Sequence, residues 1–593
     1  MNQTNDKLII YQLFPRIFTN TNPNCVPWGT LKQNGSGKFN DFTPHVLQSL
    51  KELGVNCLWL TGIIEHATKT DFSKYGIEPD NPNVVKGEAG SPYAIKDYYD
   101  IDPALAVSVP DRMKEFEDLV KRIHGEGMKV IIDFVPNHTA RVYHSDVAPA
   151  GVEDFGANDN INMNFAPNNN YYYISNQQFY PEIDLAAEGD KPYVEFPAKA
   201  TGNDCFTAFC TRNDWYETVK LNYGHDYNDN SDHFSPIPDT WFKMLRILRF
   251  WASKGIDGFR CDMVFMVPLA FWHWAIPQVK ALYPHMMFIG EIYDVGLYRP
   301  FLDYGCFDYL YDKVNLYDKL VGIETHGWSA AQLTGCWQTV DGIGDRMLNF
   351  LENHDEVRFG SKAYAGDSLR VVPSLVTAAM MSRGPLLIYY GQELGEQARD
   401  NEGFAGDNNR TTIFDYWSVS TIRRWFNGGK CDDELLSPHE RWLRNVYKTV
   451  LTLCNSRAAL REGGFFDLMY ANLRQPGFDP HRNFAFLRYQ GDDVLLIILN
   501  FSNEASHVSL VIPDLAFEMA GMDRGEIVTA DLLWGKKHKI RLSSTAPLTV
   551  YMSAADALVL PIGRLKEEKE HKLAGSVLRG EKKLPGKDGI SKN

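Results

Sequence analysis

The chain contains no apolar run approaching the ~18 residues that a membrane-spanning helix needs, so no membrane partner is expected. Positive charge is not in excess either. Sixty basic residues stand against 75 acidic ones, a formal net charge of −15, whereas a sequence-independent grip on nucleic acid requires a basic face. The opening MNQTNDKLIIYQLFPRIF lacks a basic stretch leading into an apolar one and a small-residue cleavage site, so it does not read as a secretory signal. Cysteine is sparse, with no C-x-x-C zinc pattern, and the odd count of 9 leaves at least one thiol unpaired. Cys57 and Cys261 fall inside apolar, strand-like runs, where free thiols behave as small core hydrophobes. Cys205 and Cys210 are the one close pair and read as two separate thiols, with a local disulfide as the alternative. A reducing, cytoplasmic setting is the expectation; a periplasmic or secreted one would require a leader trimmed from the sequence. No solenoid-period repeat is present. Aromatic residues, by contrast, make up 13% of the chain, in keeping with a protein that stacks on flat ligands.

At ~150 residues per domain, 593 residues allow three or four domains, fewer if one is a large barrel. Short β-rich apolar runs at 8–14, 56–61, 129–135, 258–263, 287–292, 347–351 and 385–390 alternate with helical periodicity, as at 44–53 and 111–125. An eighth, weaker run lies near 307–311. Alternating β and α predicts a parallel sheet with helices outside, and eight units predict a closed (β/α)8 TIM barrel. Asp133 and Asp262 lie 129 positions apart, far beyond one βα repeat, so an excursion must leave the barrel between them. The Asn-, Tyr-, Asp- and Gly-rich stretch 139–235 fits a small irregular inserted domain. The barrel is thus expected over 1–138 and 236–455. FAFLRYQ, VLLIILN, VSLVIP and LTVYMS predict an antiparallel β-sandwich over 456–560, and 561–593 reads as a charged, solvated tail.

Four segments place polar residues at the carboxyl ends of apolar strands: VIIDFVPNH (130–138), GIDGFRCDM (255–263), FIGEIYD (288–294) and FLENHDEV (350–357). That rim is where a βα barrel builds its chemistry. Asp262 and Glu291 are 29 positions apart, one repeat, so they should end adjacent strands; Asp355 follows 64 positions later, about two repeats. Three carboxylates facing one space suit glycoside cleavage: one attacks the anomeric carbon, one protonates the leaving oxygen, and one favours the distorted, positively charged ring. Arg260, two residues before Asp262 on the same strand, points to the same face and is expected to keep Asp262 ionised.

These segments, in this order, resemble the conserved regions of the α-amylase superfamily, glycoside hydrolase family thirteen, and the similarity spans nearly the whole chain. The resemblance implies that Asp262 is the nucleophile, Glu291 the acid/base and Asp355 the transition-state stabiliser. It places Arg260, His138 and His354 around the first sugar, Tyr93 of GSPYAIKDYYDIDP as the aromatic stacking on it, and Asp133 with Asn137 as a structural pair. KLNYG (220–224) resembles the short region closing the family's inserted domain, in its amylase and neopullulanase-like form. Asp407 and Arg410 of GDNNRTTIFDYW resemble residues that grip the next sugar. No cofactor is implied beyond a structural calcium, for which Asn137 is the candidate ligand; such a site needs six to eight oxygens. Many endo-acting members carry Lys-His where this chain has Phe265 and Met266, and Met263 matches neither the α-1,4 nor the α-1,6 form of the family.

The implied activity is a retaining hydrolysis of α-glucosidic bonds, most simply α-1,4, in starch-derived maltooligosaccharides. A glucanotransferase or trehalose-synthase-like isomerase would use the same residues with a sugar in place of water. A catalytically dead binding subunit would have lost the carboxylates, and all three are present. Oligomeric state is left open.

Overall fold

The computed structural model describes residues 6–182, 191–404 and 406–563. Eight parallel strands close a barrel: β1 (Ile9–Leu13), β2 (Cys57–Leu60), β3 (Lys129–Phe134), β4 (Gly258–Cys261), β5 (Met287–Gly290), β6 (Tyr309–Tyr311), β7 (Met347–Phe350) and β8 (Leu386–Tyr389). Each pairs with its neighbours in chain order, and β8 returns to β1 with Tyr11 opposite Ile388. Their residues are buried nearly throughout, as expected of strands covered by side chains inside the barrel and helices outside. The run near 307–311 supplies β6, the shortest strand of the barrel, at three residues.

The covering helices follow local rules. Pro44–Glu52 starts on Thr43, whose hydroxyl accepts from Val46 N, with proline at the first turn where its missing N–H costs nothing. The last and longest, Pro438–Ser456, opens with a Ser437–Glu440 capping box. Leu443, Val446, Tyr447, Val450, Leu451 and Cys454 form one buried stripe along it, at three- and four-residue steps.

Between β3 and β4 the chain makes a long excursion of short strands. His138–Ala140 pairs antiparallel with Thr218–Lys220, which sets His138 directly across from Lys220. Tyr173–Ile174 pairs with Ala198–Lys199. Past the barrel's covering helices, Gly464–Asp467, Asn483–Gln490, Asp493–Asn500 and Asp556–Pro561 form a four-stranded antiparallel sheet, joined by two two-stranded ones. The tail expected over 561–593 falls, from 564 on, outside the described residues.

All nine cysteines are described and unpaired; Cys205 Sγ faces Thr207 and the Phe209 carbonyl rather than Cys210. Among the described residues no helix is long and apolar enough to cross a membrane.

Candidate active site

The ladder of the barrel continues one residue beyond the strands at its carboxyl rim. Asp262 N donates to Phe134 O (2.9 Å) and Glu291 N donates to Cys261 O (3.0 Å), so Asp262 and Glu291 emerge side by side from β4 and β5. Gly290 permits this: a Cβ there would sit 2.7 Å from the Leu310 side chain and 3.1 Å from Phe307. The next residue, Met263, is bent into the left-handed region (φ 44°), an unfavourable conformation for a non-glycine residue. That bend aims Met263 N–H at Glu291 Oε2, 2.8 Å away.

Arg260 is the hub. Fully buried at 0% exposure, it lies across from Asp133 in the β3–β4 ladder. Its Nη1 meets Asp262 Oδ1 at 2.8 Å and Asp133 Oδ1 at 3.2 Å, its Nη2 pairs with Glu291 Oε1 at 2.7 Å, and its Nε donates to Tyr311 Oη at 3.2 Å. Trp59, Tyr93 and Tyr311 present their ring faces to the guanidinium within 5.3–5.6 Å. One cation therefore offsets three carboxylates in a space closed by aromatic rings, where bare charges would be costly.

Across the rim stands the group around His354. Gln12 Nε2 lies 2.8 Å from His354 Nδ1, which leaves Nε2 to face Tyr93 Oη at 2.6 Å and Asp355 Oδ2 at 3.0 Å. The Tyr93 and His354 rings stack, with centroids 5.2 Å apart, and Tyr93 Oη also donates to Asp133 Oδ1 at 3.4 Å. Asp355 is half-exposed, the one carboxylate of the three that opens to solvent.

His138, on the excursion's first strand, is buried against Trp215, with ring centroids 5.4 Å apart. Asn137 is also buried; its Oδ1 accepts from Lys220 Nζ (2.6 Å) and its Nδ2 donates to Gly202 O (2.6 Å). Arg410 is exposed on the loop after β8, close enough for its charge to act on Asp355. Asp407 sits exposed on the same loop and is not drawn into the cluster. The structure adds partners not singled out from the sequence: Gln12, Trp59, Tyr311, Trp215, and Tyr293, whose hydroxyl donates to Glu291 Oε1 at 2.5 Å. Tyr293 alone had a sequence signal, standing two residues beyond Glu291 and thus on the same side of an extended segment.

Charge is distributed unevenly over this site. Partial loss of water around Asp355 would raise it, but the charge and hydrogen bond of His354, then Arg260 and Arg410, outweigh this and bring the carboxyl down to about 2. Burial and then the negative charge of Glu291 push Asp262 well above the usual carboxylate range, and Arg260 offsets only part of this. Arg260 thus favours the ionised form of Asp262, in the expected direction, against the combined pull of burial and Glu291. The guanidinium is divided among three acids, so its charge is not reserved for Asp262. His138 is pushed down to about 3, by burial first and then by Lys220 and Lys86, so it presents a neutral imidazole.

Comparison with known proteins agrees with this geometry. The family described as "Alpha amylase, catalytic domain" matches residues 12–423. An α-amylase of Streptomyces lividans is 25% identical over 88% of this chain, which spans 56% of that enzyme's length. A cyclomaltodextrinase of a Bacillus species is 24% identical over 84% of this chain and 73% of its own. Among solved structures, an α-amylase from Geobacillus thermoleovorans complexed with acarbose aligns over 95% of this chain and 100% of its own, with TM-score 0.60 and 19% identity, a likeness of fold. With the family match covering more than two thirds of its length and the strand-end carboxylates gathered on one arginine, this chain is a glycosidase of the α-amylase family.

Proposed function

We propose that the protein hydrolyses α-1,4-glucosidic bonds in starch-derived maltooligosaccharides with net retention, through a glycosyl ester on Asp262. The observation that carries this reading is that Asp262 and Glu291 sit on the two terminal nitrogens of one buried guanidinium. Carboxyl groups so clamped suit the short separation, about 5–5.5 Å, of retaining enzymes rather than the roughly 6.5–9.5 Å that seats a water between sugar and base.

With the sugar seated, Glu291, acting as the acid, delivers a proton to the glycosidic oxygen as the Asp262 carboxylate attacks the anomeric carbon. The C–O bond to the leaving sugar breaks and a β-linked ester forms. Water then attacks the same carbon, Glu291 takes its proton, and the ester C–O bond breaks to release an α-anomer. Asp355, ionised throughout the neutral range, faces the positive charge that develops on the ring in both steps. Tyr93 and His354, stacked and hydrogen-bonded to each other, form an aromatic wall beside the attacked sugar.

The preference for α-1,4 bonds draws on relatives named α-amylase and cyclomaltodextrinase. Timed chromatography of products from maltoheptaose, starch and pullulan tests it. Maltoheptaose and starch should give short linear products. Pullulan should yield no maltotriose, the mark of α-1,6 cleavage. Maltotriose as the main product from pullulan, with maltoheptaose untouched, would contradict the assignment.

A further inference from the structure

The ammonium of Lys220 lies where three segments of the chain meet. Asn137 Oδ1 is 2.6 Å from Nζ, Asp204 Oδ1 2.7 Å and the Met266 carbonyl oxygen 3.3 Å, and the lysine side chain is 2% exposed. Asn137 adjoins His138 just beyond β3. Met266 closes the 3-10 turn Val264–Met266 that follows Asp262, and Asp204 belongs to the excursion.

A carboxamide, a carboxylate and a backbone carbonyl converging on one point are the donors a hard divalent cation takes. Here that point is filled. Each of the three ammonium hydrogens has one oxygen to meet. The other end of the Asn137 carboxamide is committed to Gly202 O. The backbone there is closely packed, since a Cβ on Gly202 would lie 2.6 Å from Thr218 Oγ1 and 2.9 Å from the His138 ring. The residues present therefore do not fit a calcium bound through Asn137.

We infer that Lys220 is a built-in cation that takes over the cross-linking a divalent ion would perform, pinning the excursion to the barrel rim without metal. The lysine acts as a positioning residue. It faces His138 across the Thr218–Lys220 ladder and holds the turn that carries Met263, whose N–H meets Glu291. Burial lowers the affinity of the amine for its proton and Asp204 counters it, so the carboxylate is part of the device.

The full-length protein tests this by thermal melting, a readout independent of substrate and of the reaction proposed above. The wild-type melting temperature should be the same in chelator and in millimolar calcium. Lys220→Ala should melt about 5 °C lower or more. It frees three oxygens, so calcium should recover part of that loss, and its KM should rise by a larger factor than its kcat falls. Asp204→Asn keeps the ammonium in place and should melt lower with no response to calcium; it serves as the test should Lys220→Ala fail to fold. The inference is overturned by a wild type that loses stability in chelator and regains it with calcium. It is equally overturned by variants that melt with the wild type, or by a loss in Lys220→Ala that calcium leaves untouched.

Discussion

Asp262→Asn is expected to lower kcat by roughly four to six orders of magnitude, as loss of a covalent nucleophile does, while the fold survives. Asparagine keeps the shape, and its amide oxygen can still accept from Arg260 Nη1, which lies 2.8 Å from Asp262 Oδ1. The change also removes one of three acids crowded on a single guanidinium, and burial together with Glu291 already disfavours the charge on Asp262. The variant should therefore melt at or above the wild-type temperature, the usual relation between activity and stability at a strained site. Activity within tenfold of wild type would remove the nucleophile role. A marked loss of melting temperature would show that Asp262 is structural.

Arg260→Met should be costly in both respects. Removing one partner of a buried charge cluster typically destabilises by about 3–5 kcal/mol, and here three acids, Asp133, Asp262 and Glu291, lose their common partner. Asp133 and Asp262 already have folded-state values above their unfolded ones, from burial first, against the pull of Arg260. Such groups bind more protons folded than unfolded, so they lower stability increasingly as pH rises above the unfolded carboxylate range. Without Arg260 both move further up. The gap in melting temperature between wild type and variant should then widen from pH 5 to about pH 8, and activity should be lost by several orders at any pH. A gap that is constant or narrows with pH would mean that the guanidinium does not carry the charge balance.

The barrel was legible because its strands are short apolar runs ending in charged residues, and because a strand-end residue such as Glu291 follows Asp262 by one βα repeat. β6 was the weakest signal, since Tyr309–Tyr311 is too brief to show periodicity. The carboxylates and Arg260 were legible for the same reason, their place at strand ends. What surrounds them was not. Gln12 orients His354 across 342 positions of sequence, and Trp59 reaches Asp133 across 74; a lone glutamine or tryptophan in an apolar strand carries no mark of such a partner. Lys220 stood within a recognised segment, yet its meaning depends on Asn137, Asp204 and Met266, which only the folded excursion brings together. At Asp262, spacing shows that Arg260 is near but not that Asp133 and Glu291 share its charge.

The central claim is that two strand-end carboxylates act on opposite sides of one sugar carbon by double displacement. The anomeric form of the first product tests it most directly, by proton NMR during the opening minutes of maltooligosaccharide hydrolysis, before mutarotation. Two inversions at the same carbon predict the α-anomer first, decaying toward the equilibrium mixture. The β-anomer appearing first would mean a single displacement by water, and neither the ester on Asp262 nor the role given to the Arg260 clamp would stand.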